Sequence, residues 1–168
     1  MTSVVTTRDG GYLLAGHSQL GAGGNKTSNG FGGWDYWVVK VDGAGNKAWD
    51  RAFGGESDDF LRSVVATSDG GYLLAGYSYS GAGGNMSTNS FGGYDYWVVK
   101  VDWAGNKEWD RAFGGGSDDF FWTVVATSDG GYLLGGWSSS GAGGNKSSSS
   151  FGDRDYWVVK LDGAGNKE

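Results

Sequence analysis

The sequence repeats with a period of 60 residues, and this period limits the possible folds more than any other feature. The motif Gly-Gly-Tyr-Leu-Leu begins at Gly10, Gly70 and Gly130. Regular periods of this kind are typical of propellers, solenoids and other repeat architectures. We therefore treat the 168 residues as one repeat domain with three repeats, 1–60, 61–120 and 121–168.

Each complete repeat is predicted to hold four β-strands. The dipeptide Asp69-Gly70 is a hairpin turn signal between the first two strands, and no stretch of the chain shows a sustained helical period. In the second repeat the predicted strands are 63–67, 72–78, 95–102 and 107–113. The third repeat ends before its fourth strand, so we expect it to be incomplete.

The third strand of each repeat is apolar on both faces. In the second repeat Trp97, Val99 and Val101 alternate with Tyr96 and Val98. A strand with two apolar faces has to be covered on both. Short antiparallel strands covered in this way are typical of a propeller blade, which packs between two neighbours. We therefore predict an all-β fold, a β-propeller built from tandem 60-residue four-stranded antiparallel blades, with a β-solenoid or prism as the alternative.

Three blades, the last of them incomplete, are too few for a closed ring, since known propellers have about 4 to 8 blades. We expect closure by self-association, either as a homodimer with six blades or as a polymer. The other possibility is that the chain is part of a longer array of blades.

Composition argues against several classes of function. The formal net charge of −6 disfavours nucleic acid and anionic lipid as partners, and no run of 18 apolar residues predicts membrane insertion. The chain has no cysteine, and its one histidine, His17, aligns with Tyr77 and Trp137 in the other repeats. No thiolate, histidine metal site or Ser-His-Asp arrangement is therefore indicated. We expect no cofactor and no enzymatic activity.

Variable aromatic residues are the best candidates for binding a ligand. Trp34 and Tyr94 precede the third strand of their repeats, and Tyr77 and Trp137 lie near the end of the second strand. Aromatic rings stack on the apolar faces of sugars, and repeated shallow sites suit a multivalent lectin. The alternative is that these rings fill the rim of the core.

Paired acidic residues are candidates for a metal site. Asp58 and Asp59 recur as Asp118 and Asp119, and their oxygens suit a hard cation or acid–base chemistry on a sugar. Neighbours on an extended chain point to opposite sides, however. The alternative is that one aspartate of each pair caps a turn while the other is solvated.

An asparagine recurs in the long Gly-rich connection between the second and third strands. Asn25, Asn85 and Asn145 each begin an Asn-X-Ser/Thr sequence, which is an acceptor for N-glycosylation in a suitable host. These residues are further candidates for contact with a ligand, because binding residues concentrate on loops that a rigid scaffold presents. The alternative is that the loop motif serves only local structure.

Four segments together resemble the bacterial β-propeller repeat called SBBP. They are 95–102 (DYWVVKVD), 105–109 (GNKEW), 113–119 (FGGGSDD) and 128–134 (SDGGYLL). The resemblance implies a secreted or cell-surface protein without a shared catalytic motif, although the connection 79–94 is longer than that repeat normally has. We therefore expect a non-enzymatic structural or protein-interaction scaffold, with a multivalent carbohydrate-binding propeller as the alternative.

Overall fold

The computed structural model describes residues 1–168 as eleven β-strands without any α-helix. The strands are β1 (Ser3–Thr6), β2 (Tyr12–Ser18), β3 (Asp35–Val41), β4 (Lys47–Phe53), β5 (Asp59–Ala66), β6 (Tyr72–Ser78), β7 (Asp95–Val101), β8 (Lys107–Phe113), β9 (Asp119–Ala126), β10 (Tyr132–Ser138) and β11 (Asp155–Leu161). The structure contains no helix with the length and apolar character that a membrane crossing requires.

Each repeat forms one antiparallel sheet in which consecutive strands are neighbours. Sheet 1 has the order β1-β2-β3-β4, sheet 2 the order β5-β6-β7-β8, and sheet 3 the order β9-β10-β11. The prediction of an all-β fold from tandem antiparallel sheets is thereby confirmed. The predicted second and fourth strands of repeat 2 match β6 and β8 at both ends, and β7 is one residue shorter than predicted.

The predicted start of the first strand in repeat 2 is wrong. The strand begins at Asp59 rather than at residue 63, because β5 pairs with β6 on both sides of a β-bulge. Leu61 pairs with Gly76 while Ser63 pairs with Ala75, which leaves Arg62 as the extra residue. A bulge interrupts the alternation of side chains that marks a strand in sequence. The sequence pattern therefore shows only the part of β5 beyond the bulge.

The turns at one end of the sheets depend on glycine and on an ion pair. Gly70 has a φ of 92°, a conformation that other residues rarely adopt. Next to this turn the buried ammonium of Lys100 lies 2.9 Å from Asp69 and 2.7 Å from Glu108. These contacts join the turn after β5 to the start of β8. The long connections lie at the opposite end of the sheets.

Two apolar cores fill the spaces between the sheets. Trp97, Val99 and Val101 of β7 belong to the core between sheets 1 and 2. Tyr96 and Val98 of the same strand belong to the core between sheets 2 and 3. All five side chains are fully buried. The prediction that both faces of this strand are covered is confirmed.

A tyrosine hydrogen bond recurs at both contacts between sheets. The Tyr36 hydroxyl donates to the Trp97 carbonyl at 2.8 Å, and the Tyr96 hydroxyl donates to the Trp157 carbonyl at 3.0 Å. In each case the donor ring lies beside the indole of the next sheet. The two contacts therefore use the same geometry. The third tyrosine of the series, Tyr156, is 98% exposed.

Candidate functional site: a belt of aromatic rings

The sheets place the four candidate aromatic residues at one edge. Tyr77 and Trp137 are the next-to-last residues of β6 and β10, and Trp34 and Tyr94 directly precede β3 and β7. In an antiparallel pair the end of one strand lies beside the start of the next, so these positions meet. The rings of Tyr77 and Tyr94 accordingly lie 5.3 Å apart in an edge-to-face arrangement. This edge carries the long connections.

Two phenylalanines that the sequence analysis did not single out connect these rings across the sheets. Phe60 lies 6.2 Å from Trp34 and 5.4 Å from Tyr77 between ring centroids. Phe120 lies 4.7 Å from Tyr77 and stacks on Trp137 at 4.5 Å. Both follow the Ser-Asp-Asp motif at the same repeat position, and this recurrence is the signal that could have revealed them. We call the six rings the aromatic belt: Trp34, Phe60, Tyr77, Tyr94, Phe120 and Trp137.

The aromatic belt is partly open to solvent. Tyr77 is buried at its centre, whereas the other five rings are half-buried. Tyr79, which is exposed, adds a further ring 5.1 Å from Tyr94. Core filling therefore accounts for Tyr77, while Trp34, Tyr94 and Trp137 keep part of their surface exposed.

Polar groups border the belt along its length. The Arg62 guanidinium lies 5.0 Å from the Tyr77 ring and donates to the Tyr77 hydroxyl. The exposed Arg154 guanidinium lies 4.3 Å from the centroid of Trp137, where it makes a cation–π contact. Burial raises the pKa of the Tyr94 hydroxyl, and the nearby Asp58 carboxylate adds to the rise. This hydroxyl therefore stays a neutral hydrogen-bond donor at neutral pH.

His17 lies at the end of the belt on sheet 1. Its ring is 5.1 Å from Phe60 and 5.3 Å from Trp34, edge-on to both. Burial lowers the pKa of His17 below its ordinary value. The imidazole is therefore uncharged at neutral pH and acts here as another ring of the surface.

The paired aspartates have separate roles. Asp58 Oδ1 accepts a hydrogen bond from the Trp34 amide at 3.0 Å, and Asp118 Oδ1 accepts one from the Tyr94 amide at 3.0 Å. These two carboxylates thus hold the backbone beneath two rings of the belt. The two aspartates of each pair therefore have different hydrogen-bond partners.

The second aspartate of each pair is buried and accepts a hydrogen bond from the turn before it. Asp59 and Asp119 are both fully buried. Asp59 Oδ2 accepts hydrogen bonds from the Gly55 amide at 2.8 Å and from the Ser80 hydroxyl at 3.1 Å. Ser80 lies in the long connection that follows β6. The burial of Asp59 therefore depends on a tertiary contact that the local sequence does not show.

Two of the three candidate asparagines join neighbouring sheets through a pair of side-chain hydrogen bonds, which we call the asparagine clasp. The Asn145 side chain accepts from the Gly114 amide at 2.9 Å and donates to the Ala112 carbonyl at 2.8 Å. Asn85 makes the same pair of bonds to the end of β4. Asn25 is exposed, and its side chain makes no such bonds. Asn85 and Asn145 therefore have structural roles, and a glycan on either nitrogen would compete with a hydrogen bond.

We expect Asn145→Ala to lower the free energy of unfolding by about 1–3 kcal/mol, because it leaves a buried amide and a buried carbonyl without partners. Urea denaturation followed by tryptophan fluorescence measures this change. Asn25→Ala is the matched control, since it removes the same side chain from an exposed position. Equal effects of the two substitutions would contradict the role of the clasp.

No model of a known protein family matches the chain, and no curated protein matches it either. The resemblance to the SBBP repeat therefore stays a prediction.

Proposed function

We propose that the chain is a non-enzymatic β-propeller module of a secreted or cell-surface protein, in which the sheets are blades of a structural and protein-interaction scaffold. The observation that supports this function is the repeated packing of one sheet on the next. Each contact uses the same tyrosine bond and the same asparagine clasp. A contact that recurs in this way suits an array to which further blades are added. The resemblance to the SBBP repeat supports the location outside the cell.

The outer face of sheet 3 is an apolar surface without a cover. Tyr156 is 98% and Val158 is 57% exposed, although their counterparts Tyr96 and Val98 are fully buried against sheet 3. Leu133 on the same face is also exposed. Exposed apolar surfaces of this kind are typical of interaction sites.

The outer face of sheet 1 is the complementary half of the same contact. It contains a groove of about 340 Å³ lined by Leu14, Trp37 and Val39, among other residues. Their counterparts Leu74, Trp97 and Val99 are fully buried against sheet 1. The face of sheet 1 that is open to solvent is therefore equivalent to the face of sheet 2 that packs against sheet 1.

A second copy of this chain is the partner that fits both faces. Sheet 3 of one copy packs on sheet 1 of the other, and the Tyr156 hydroxyl donates to the Trp37 carbonyl of the second copy, as Tyr36 and Tyr96 do within the chain. Two copies joined at both ends place six blades in one ring, within the range of about 4 to 8 blades in known propellers. The interface between copies therefore repeats the packing of one sheet on the next within the chain.

We expect light scattering to give a mass of twice 17.6 kDa or a higher multiple for the wild-type chain. Val158→Glu should reduce the mass to that of the monomer, because it buries an unpaired carboxylate in the contact. Trp103→Glu, at an exposed turn, is the control and should leave the assembly unchanged. A wild-type monomer at all concentrations would overturn the proposed assembly.

The aromatic belt favours a second function, which is carbohydrate binding. Its half-buried rings form a continuous row across three sheets, and sugars stack on such rings through their apolar faces. Arg154 and the Tyr94 hydroxyl supply hydrogen-bond donors beside the rings. Several shallow sites on one edge would give a lectin-like module whose overall avidity for glycans comes from multivalency.

We expect Trp137→Ala and Trp34→Ala each to weaken binding of a glycan found by array screening at least about tenfold, the effect of losing roughly 1.4 kcal/mol of stacking. Titration calorimetry measures the affinity. Trp103→Ala removes an exposed tryptophan at the opposite end of the sheets and should leave the affinity unchanged. Absence of any bound glycan, or full binding by both belt variants, would reject the belt as a sugar site.

A further inference from the structure

The outer edge of sheet 3 is an open strand edge. In sheets 1 and 2 the third strand pairs with a fourth, β3 with β4 and β7 with β8, whereas β11 is the last strand of sheet 3. Only the end of β11 has a partner on this side, where Leu161 pairs with Lys167. The edge from Asp155 to Val159 pairs with nothing. Open edges of this kind are templates for pairing with another segment.

A buried aspartate of the fourth strand is held in the same way in sheets 1 and 2. Asp50 and Asp110 are 2% and 1% exposed. The Trp37 indole donates to Asp50 at 3.0 Å, and the Trp97 indole donates to Asp110 at 3.1 Å. Burial alone would raise the pKa of Asp50, but the hydrogen bonds from Thr27 and Trp37 outweigh it and hold the pKa below its ordinary value. The surroundings of this aspartate therefore favour a charged carboxylate.

Two further donors complete each of these sites. In sheet 2 the Lys107 ammonium lies 2.8 Å from Asp110, and the Ser87 amide donates to the same carboxylate at 2.9 Å. In sheet 1 Lys47 and Thr27 make the corresponding contacts, both at 3.0 Å. An indole N–H, an ammonium and a loop amide thus surround one carboxylate, and we call this arrangement the carboxylate seat.

Sheet 3 has the donors of a carboxylate seat without the acid. The equivalent residues are Trp157, Lys167 and Ser147. The Lys167 ammonium donates to the Asn145 carbonyl at 2.5 Å, which is the contact that Lys107 makes in sheet 2. The same ammonium lies 5.9 Å from the centre of the Trp157 ring. The lysine is therefore held beside the indole as a filled seat requires.

The donors of this third seat have no acidic partner in the chain. Lys167 forms no ion pair, although Lys47 and Lys107 each form one. The Trp157 side chain is 6% exposed, and its indole has no aspartate to which it can donate. Ser147 is exposed. Buried polar groups are nearly always paired, so this seat is suited to a carboxylate from outside the chain.

The pairing of β7 with β8 shows what kind of segment fills such an edge. Val99 pairs with Asp110, so the residue opposite Val159 would carry the carboxylate. The segment Trp-Asp-Arg-Ala-Phe occupies this place in both complete sheets, at 49–53 and 109–113. The fitting ligand is therefore an extended strand with an aspartate at one defined position.

We propose that the open edge of β11 binds an extended segment of a partner protein, antiparallel to β11, with an aspartate of that segment in the carboxylate seat of sheet 3. In such strand additions the backbone hydrogen bonds give affinity and the side-chain sites give specificity. Hydrogen bonds between charged groups are stronger than neutral ones, so Lys167 favours an acidic side chain. The proposal rests on the protein-interaction function proposed above, because it gives that scaffold a partner of defined chemistry.

The test is fluorescence anisotropy with a synthetic peptide, labelled at its C-terminus, of the sequence Trp-Asp-Arg-Ala-Phe-Gly-Gly found at 109–115. We expect one bound peptide per chain, because sheets 1 and 2 already have a fourth strand. A peptide with asparagine in place of the aspartate should bind at least about tenfold more weakly, since it has no charge to pair with Lys167. No binding of the aspartate peptide, or equal binding of both peptides, would overturn the proposal.

Two variants of the chain separate the carboxylate seat from a general attraction of charge. Lys167→Met should weaken binding of the aspartate peptide at least about tenfold and leave binding of the asparagine peptide unchanged. Arg8→Met removes a cation from an exposed turn of sheet 1 and should leave both affinities unchanged. Circular dichroism confirms that both variants are folded. Equal losses of affinity in the two variants would contradict the role of the seat.

Hydrogen exchange followed by mass spectrometry locates the bound peptide. The peptide should slow exchange of the amides in 155–161 and leave those of β4 and β8 unchanged. Protection confined to other segments would contradict binding at the edge of β11. Light scattering of the same samples separates this site from the assembly of copies. An oligomer that does not bind the peptide would reject the open edge alone, whereas a monomer that binds it would reject the assembly alone.

Discussion

Asp110→Ala is expected to lower the free energy of unfolding by about 3–5 kcal/mol, the effect of breaking a buried charged network. The Asp110 carboxylate, which is 1% exposed, accepts hydrogen bonds from the Trp97 indole at 3.1 Å, the Ser87 amide at 2.9 Å and the Lys107 ammonium at 2.8 Å. Burial alone would raise the pKa of Asp110, but the bonds from Lys107 and Ser87 outweigh it and hold the pKa below its ordinary value. The group therefore stays charged and anchors the long connection to β8.

Urea denaturation followed by tryptophan fluorescence measures the effect of Asp110→Ala. Asp153→Ala is the control, because Asp153 is exposed and makes no hydrogen bond. Its substitution should change stability by less than about 0.5 kcal/mol. A loss of less than 1 kcal/mol on Asp110→Ala would show that the network contributes little, since one ordinary hydrogen bond is worth about that much.

Gly76→Ala is expected to have the second largest effect, a loss of about 3 kcal/mol or failure to fold, at the upper end of the cost of overpacking. An added Cβ atom would lie 2.0 Å from the Phe60 carbonyl oxygen and 2.6 Å from the Tyr36 hydroxyl. The carbonyl belongs to the neighbouring strand, and the hydroxyl is held by its bond to Trp97. Neither atom is free to move away.

The control for this substitution is Gly16→Ala, at the same position of repeat 1. There the added Cβ atom would meet only the backbone of the terminal residue Met1, at 3.0 Å or more. We expect Gly16→Ala to be close to neutral in the same urea experiment. Equal losses for Gly16→Ala and Gly76→Ala would mean that the effect comes from strand propensity and not from the contact between sheets.

The local sequence was sufficient to predict strands whose ends carry their own signals. The Asp69-Gly70 turn marks the start of β6, and the two apolar faces of β7 predicted correctly that sheets cover it on both sides. The start of β5 was missed because the bulge at Arg62 changes the register in the middle of the strand. A bulge is defined by the partner strand, and the partner is not visible in a local window.

The candidate site was predictable only where strand pairing determines it. The approach of Tyr77 to Tyr94 follows from the antiparallel pairing of β6 with β7. Phe60 is paired with Tyr77 across β5 and β6 of one sheet, whereas the contact of Phe120 with Tyr94 depends on how sheet 3 packs on sheet 2. Burial of Asp59 also depends on the neighbouring loop, which contributes Ser80. Contacts between sheets join residues far apart in sequence, so the pattern within one repeat does not specify them.

A photo-crosslinking experiment tests most directly the central claim that blades of separate copies stack as the internal sheets do. A benzophenone amino acid replaces Tyr156, whose ring is 98% exposed on the outer face of sheet 3. After irradiation and digestion, mass spectrometry identifies the peptide to which it has bonded. The account predicts crosslinked dimers in which position 156 is joined to the segment around Trp37 of a second molecule. Irradiated protein that stays monomeric, or crosslinks scattered over other surfaces, would contradict it.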